Sequence, residues 1–271
     1  GLEGFSTYSF IRKHLPDQIV YIEDANMGFL ERFPEISEDK NAVIIPTENY
    51  LKDLEEYDII MKTPGLSFAQ IDTSKFFHNI KSQLELFLEF VDVFTIGVTG
   101  TKGKSTTSSL IYSIINNQKE DVHLLGNIGV PLWDEIDVLN PNSVVVMELS
   151  SHQLEFVEVA PNISIILNLF EEHLDHYKSY EHYMQAKLNI CRFQNEKDHF
   201  IYSIDNDELR NHVINLEGLK PQVYEISLDG NSKVSASSNP LIDLITPEVC
   251  LKYRIADPLL YLTPTSGSSP N

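Results

Sequence analysis

Cysteine is scarce in this 271-residue chain: there are two, Cys191 and Cys250, far apart and outside any CxxC spacing. Both suit a reducing compartment and read as small packed hydrophobes rather than reactive thiols. Positive charge is equally short. Twenty Lys and Arg stand against forty Asp and Glu, a formal net charge of −20 with a pI near 4.7. A nucleic-acid partner needs a basic face, so none is expected. No apolar stretch approaches the length of a membrane span, and the N-terminus lacks signal-peptide organisation. The expectation is a cytoplasmic protein without a membrane partner. What the chain does have is room for about two domains and a 42% hydrophobic content that supports buried cores.

The strongest positive signal is TIGVTGTKGKSTTSSLIYSII, Thr95 to Ile115. A β-branched run passes through a glycine-bearing turn into Lys104-Ser105-Thr106. Helical spacing follows, with Leu110, Ile111, Ile114 and Ile115 on one side. Strand, glycine turn, Lys-Ser and helix make a phosphate-binding loop whose backbone N–H groups and helix N-terminus face the anion. Gly100, Thr101, Lys102, Gly103, Lys104, Ser105 and Thr106 are the candidate ATP-binding residues. Lys104 would reach the terminal phosphates and the Ser105 hydroxyl would face Mg²⁺. The general pattern places a glycine where Val98 stands, so this is a shorter variant. An ordinary strand-to-helix turn is the alternative.

The fold class read from the pattern is α/β. Residues 1–92 form a first unit, 93–257 a second with the phosphate loop, and 258–271 a tail rich in Pro, Ser, Thr and Leu that reads as unstructured. In the first unit, GLEGFSTYSFIRKHL reads as a glycine turn entering a helix, and QIVYIED as a strand ending in Glu23-Asp24. AVII and YDIIM are further strands, the last running into Thr63-Pro64-Gly65. Alternating strands and helices predict a Rossmann-like parallel sheet, and an acidic residue some distance past a glycine turn is a nucleotide-ribose arrangement. SQLELFLEFVDVF reads as a helix and linker.

In the second unit DVHLL, SVVVMELSS and ISIILNLF are strands, the last two nearly all apolar as for strands covered on both faces. Both end in polar clusters, Glu148-Leu149-Ser150-Ser151 and Asn168 to His173. Ligands in open α/β sheets sit beyond the carboxyl ends of strands, so these clusters share the rim of the phosphate loop. Glu148 closes an apolar strand, where an unpaired charge is costly to bury and a hard cation would resolve the cost. A rim-exposed carboxylate is the alternative. His173, His152, Asn127 and Lys187 do not stand out from background individually.

Together these segments carry a resemblance. GVTGTKGKSTT, GNIGVPL, MELSSHQLE, ILNLFEEHLDHYKSYEHYMQAKLNI and KTPGLS occur in the order and approximate spacing of the bacterial Mur ligases. ELSSHQLE resembles the branch that adds D-glutamate. The resemblance covers roughly residues 1–205. It implies an ATP-dependent carboxylate–amine ligase acting through an acyl phosphate, with UDP-N-acetylmuramoyl-L-alanine and D-glutamate as substrates, and a monomer. By the same resemblance, Lys104, Lys187 and His173 are catalytic. Ser105 and Glu148 hold one Mg²⁺, and His173 holds a second with Lys187 carbamylated. Leu2, Glu3, Gly4, Asp24, Gly65, Asn127, Ser150 and His152 fall where the family holds its nucleotide-sugar substrate.

Against the family pattern, the strand expected before Gly1 is missing, and no motif can be followed beyond Asp205-Asn206-Asp207. The central unit is therefore expected to be partial, without its last strands and helices, and the family's third domain to have no counterpart. Two other readings stay open: a fragment that only binds ATP and the UDP-substrate, and another Mur-type ligase such as a folylpolyglutamate synthase.

Overall fold

The computed structural model describes residues 1–172 and 176–227 and the backbone of 234–235. The first unit opens with α1 (Leu2–His14), followed by β1 (Val20–Ile22), the short helices α2 (Phe29–Arg32) and α3 (Glu35–Glu38), and β2 (Ala42–Ile44). Next come β3 (Ile60–Met61), β4 (Ile80–Lys81) and α4 (Gln83–Phe90). The strands pair in parallel, as the alternating pattern predicts, but they form two separate pairs, β1 with β2 and β3 with β4. The glycine turn of the first segment is shorter than read. Helix α1 begins at Leu2, so Gly4 lies inside its first turn, where a Cβ would stand 3.3 Å from the Thr63 methyl. The absent side chain lets the helix approach the loop after β3.

The second unit is one parallel sheet of seven strands among the described residues. In chain order they are β5 (Phe94–Thr99), β6 (Val122–Gly126), β7 (Val144–Glu148), β8 (Ile163–Ile166), β9 (His199–Ser203), β10 (Gln222–Ser227) and β11 (Val234–Ser235). Across the sheet the order is β11-β10-β9-β8-β5-β7-β6. Helices α5 (Lys104–Asn116), α6 (Ser151–Leu154), α7 (Tyr180–Arg192) and α8 (Asp207–Ile214) lie between them. Beyond Asp205-Asn206-Asp207, where the motifs of the resemblance stop, helix α8 and strand β10 extend the same sheet, with β10 paired along β9 from Gln222 to Ile226.

Every residue of β5, β7 and β8 is buried, and the two-residue period divides them between two cores. Phe94, Ile96 and Val98 join Val144, Val146, Ile163 and Ile165 beneath Ile111 and Ile115 of α5. Val145, Met147 and Ile166 turn the other way, into a larger core with Tyr183, Leu188 and Ile190 of α7. On that face Gly97 carries no Cβ because one would lie 2.7 Å from Pro161 and 3.0 Å from Leu149. Ser164 there donates to the Ile190 carbonyl at 2.5 Å.

Helix α4 does not act as a spacer. Its Leu84 and Phe87 are buried in the larger core. The Gln83 amide donates to the Glu3 carbonyl and to the Ser6 and Thr7 hydroxyls at 3.0–3.1 Å. Ser6 in turn donates to Asp134 at 2.6 Å, and Phe10 packs on Trp133 with ring centroids 4.6 Å apart. Helix α1 is thereby fastened to the second unit by polar and aromatic contacts.

The topology also fixes where a ligand can sit. From β5 the chain goes to the edge strand β6, returns to β7 beside β5, then crosses to β8, β9 and β10 on the other side. Strand β5 is thus the switch point, and the rim beyond its carboxyl end lies between diverging connections.

Candidate phosphate and metal site

Four strand ends meet at this rim. From β5 comes the loop Gly100–Gly103, in which Gly100 has φ +149° and Gly103 φ +87°. A side chain at Gly100 would also meet the Leu167 Cβ at 3.1 Å. Gly103 is the N-cap of α5 and supplies no side-chain cap, and the first intrahelical bond runs from Thr107 N–H to the Gly103 carbonyl. The N–H groups of Lys104, Ser105 and Thr106 therefore have no partner from the helix itself. They face outward at its positive end, next to the exposed Ser105 and Thr106 side chains.

The Lys104 ammonium folds back over the loop, donating to the carbonyls of Gly100 at 3.1 Å and Thr101 at 3.0 Å. A second ammonium meets the same Gly100 oxygen. Lys187 on α7 is 2% exposed and donates to it at 2.9 Å. Its Nζ also sits 5.0 Å from the centre of the Tyr183 ring. Burial first, and the nearby Lys104 charge second, depress the Lys187 amine to about 7. At neutral pH a large share of it is an uncharged amine. Tyr183 ties α7 to the loop as well, its hydroxyl lying 2.9 Å from Thr101 Oγ1.

Glu148 ends β7 with 2% exposure. Its Oε1 accepts from the Asn127 amide at 2.8 Å, while Oε2 is buried without a hydrogen-bond partner. Asn127 is held there because its own N–H donates to the Glu148 carbonyl at 2.9 Å. The preceding Gly126, φ +104°, lies against that carbonyl so tightly that a Cβ would come within 2.6 Å. A buried carboxylate oxygen without a donor is what a hard cation would satisfy. Among the described residues no group of three or more His, Cys, Asp or Glu is placed to hold a metal. An ion here would take Glu148 and the Ser105 hydroxyl and complete its shell with phosphate oxygens and water, the habit of Mg²⁺. His173, expected as ligand of a second ion, lies outside the described residues.

The residues expected to hold a nucleotide sugar are less concentrated. Asn127 is at the rim. Ser150 is occupied as the N-cap of α6, in a capping box with Gln153: its hydroxyl accepts from Gln153 N–H at 3.3 Å, and Gln153 Oε1 accepts from Ser150 N–H at 3.0 Å. The His152 ring packs 4.1 Å from that of His176 and lines a small cleft with Lys62, Pro64, Ser82 and Gln153. Gly65 is one residue further along that loop, with open space where a Cβ would be. Leu2 is exposed, at 61%. Glu3 sits in a buried environment that raises its carboxyl to about 7, with Gln153 and Lys62 opposing the shift. Asp24 accepts from Asn26 N–H at 2.8 Å, closing a turn after β1.

One residue at the rim has a larger part in the loop than its place in the sequence suggests. Asn168, just past β8, accepts from the N–H groups of both Thr101 and Lys102 and donates to the Lys102 carbonyl. Cys191, buried on α7, has its thiol pushed up to about 12 by desolvation and is unreactive, as expected; Cys250 lies outside the described residues.

Residues 98–244 match the family model of the Mur ligase middle domain. Curated relatives named UDP-N-acetylmuramoylalanine–D-glutamate ligase are found in clostridia and their kin. That of Clostridium kluyveri is 37% identical over 175 residues, 62% of this chain and 38% of its own length. That of Clostridium botulinum strain Kyoto is 33% identical over 219 residues, 76% and 47% respectively. The chain thus spans less than half the length of these relatives. Among solved structures, a murein peptide ligase from Psychrobacter arcticus has a TM-score of 0.46 at 17% identity, covering 87% of this chain and 53% of that one. With its family-model match spanning more than half of its length, the chain belongs to the Mur ligase family.

Proposed function

We propose that the chain carries the ATP-binding and nucleotide-sugar-binding parts of a ligase that joins D-glutamate to UDP-N-acetylmuramoyl-L-alanine. Residues 1–92 take the uridine nucleotide and residues 93–257 the ATP. The observation that carries this reading is the convergence of a glycine loop, an uncapped helix N-terminus, two lysines and a buried half-satisfied carboxylate at one switch point. Identity to the clostridial D-glutamate ligases supports the substrate assignment.

In this reading the alanine carboxylate attacks the γ-phosphorus of ATP. The β–γ bridging oxygen leaves with ADP, and an acyl phosphate remains. The amine of D-glutamate then displaces phosphate to give the amide, releasing a proton. Lys104 swings from the loop carbonyls onto the terminal phosphates, where its charge neutralises oxygens that gain negative charge. The amides of the first turn of α5 hold the phosphates from the other side. Mg²⁺, held by Ser105 and Glu148, supplies further charge neutralisation when bound. Asn127 keeps the Glu148 carboxylate turned towards the rim.

Lys187 we take as the residue that captures CO₂: its neutral amine adds to the carbon and loses a proton, leaving a carbamate. The depressed amine and its burial beside the loop support this. Carbon-13 bicarbonate should give a carbamate resonance in the parent chain that disappears in Lys187→Arg.

Calorimetry tests the substrate directly. UDP-N-acetylmuramoyl-L-alanine should bind more tightly than UDP-N-acetylmuramic acid, and a folate should not bind. Preference for the folate would move the chain to another branch of the family.

Two further expectations arise from the site. Glu148→Gln keeps the shape and the Asn127 contact while removing the charge. The Mg²⁺-dependent part of ADP stabilisation in a thermal-shift assay should vanish, with apo stability unchanged or raised because a buried, half-satisfied charge is gone. A Mg²⁺ effect surviving in this variant would exclude Glu148 as ligand.

Lys187 should make stability depend on pH. Its folded value near 7 is below the ordinary lysine value, so between about pH 7 and 10.5 the unfolded chain holds a proton that the folded chain does not. Stability contributed by this group therefore rises with pH through that window, and the full cost is borne below it. In CO₂-depleted buffer, Lys187→Met should raise Tm at pH 6–7, with the gain shrinking toward pH 10. A gain that does not vary with pH would contradict the depressed amine.

A further inference from the structure

Asn168 stands immediately beyond β8, and its carboxamide is spent entirely on the phosphate loop. Oδ1 accepts from Thr101 N–H at 3.0 Å and from Lys102 N–H at 2.9 Å, and Nδ2 donates to the Lys102 carbonyl at 3.0 Å. The Asn168 main chain adds a contact, its carbonyl accepting from Thr101 N–H at 3.1 Å. Two residues on, Phe170 N–H donates to Thr101 Oγ1 at 2.9 Å. Behind these bonds Leu167 N–H pairs with the Thr99 carbonyl at 3.0 Å, so the clamp continues the β5–β8 ladder past its end.

This arrangement divides the loop in two. The N–H groups of Thr101 and Lys102 are committed to Asn168 and are not available to a phosphate. The amides that remain for an anion are those that open α5, from Gly103 to Thr106. A loop with positive φ at Gly100 and Gly103 has wide conformational freedom of its own; Lys104 ties down its first two carbonyls, but the Thr101 and Lys102 amides and the Lys102 carbonyl are held from Asn168. One side chain with two acceptor lone pairs and a donor in the same plane restrains both amides and a carbonyl together. Of the common side chains, only a carboxamide does this.

We propose that Asn168 is the positioning residue of the phosphate loop, pre-forming the Gly103–Thr106 cradle for the β-phosphate of a nucleotide by binding out the Thr101 and Lys102 amides. It touches no reacting atom. The proposal rests on the ATP reading for its ligand, and its test separates the two.

Hydrogen–deuterium exchange without nucleotide reads the clamp itself. In the parent chain the Thr101 and Lys102 amides should exchange slowly. In Asn168→Ala the Lys102 amide, which loses its acceptor, should exchange roughly tenfold or more faster, while Thr101, which keeps the Asn168 main-chain carbonyl, changes less and the β8 amides stay protected. Asn168→Asp keeps the acceptor and should keep the Lys102 amide slow, a rescue that a generic packing role would not give. Calorimetry reads the consequence: Asn168→Ala should lose roughly ten- to hundredfold in ADP affinity through lost preorganisation, with adenosine affinity unchanged. Should Asn168→Ala fail to fold by circular dichroism, Asn168→Ser, too short to reach the loop, takes its place in both measurements. Unchanged exchange at Lys102 in a folded variant overturns the proposal, as does an equal loss for ADP and adenosine. If no variant and no parent binds ADP, the ATP reading fails and the exchange result alone decides the clamp.

Discussion

Lys104→Ala is expected to abolish ATP-dependent thermal stabilisation while leaving the apo melting temperature close to that of the parent. Among the described residues the ammonium makes two hydrogen bonds, both to loop carbonyls on a partly exposed surface, so its loss exposes little. Toward a polyphosphate it would make charge-assisted bonds worth about 2–3 kcal/mol, or roughly 30- to 150-fold in affinity. Removing it also relieves the second charge against Lys187, whose amine Lys104 helps to depress. The variant should therefore show Lys187 titrating closer to an ordinary lysine, detectable as a shift in the pH dependence of Tm. Equal stabilisation of variant and parent by Mg-ATP would remove the phosphate-site assignment.

That prediction was legible in the sequence because strand, glycine turn and helix follow one another without interruption. Local backbone preference and tertiary placement agree there. The same holds for Glu148, whose position at the end of an all-apolar run announces a charge at a buried rim. Asn168 also ends an apolar run, but asparagine after a strand is common in loops. Its role depends on a neighbour nearly seventy residues earlier, which no local pattern encodes. The strands after α7 escaped the pattern for a related reason: His199–Ser203 and Gln222–Ser227 are short and mixed, without a motif, and recognisable mainly through their pairing with β8 and with each other. In the first unit the strands are two or three residues long, too short for a two-residue period to say whether they form one sheet or two pairs. Gly4 misled because glycine near a helix start reads as a turn. Here it serves the close approach of α1 to Thr63.

Lys62 and Glu155 are the most consequential pair that the pattern did not reveal. Lys62 follows a two-residue strand, and Glu155 closes the short helix α6; neither context marks a buried charge. In the fold their side chains are 3% and 1% exposed, with Nζ 3.1 Å from Oε2. The ammonium has no hydrogen bond of good geometry despite this distance, and it lies 5.4 Å from the centre of the Phe156 ring. Burial lowers the Lys62 amine, and Glu155 is the main influence holding it up. Glu155 also reaches His176 at 3.3 Å and His182 at 3.8 Å, so one carboxylate gathers a lysine from the first unit and two histidines from the second. A desolvated pair adds little net stability, yet breaking it leaves an uncompensated charge that costs about 3–5 kcal/mol. Lys62→Met and Glu155→Gln should each therefore lower Tm by roughly 10 °C or more for a chain of this size. The double variant should recover most of that loss, because two neutral side chains of similar volume remove both charges at once. Denaturant melts of the four proteins give the coupling energy. Additive losses, or single losses too small to measure, would mean that water reaches the pair and that the two units are not joined through it.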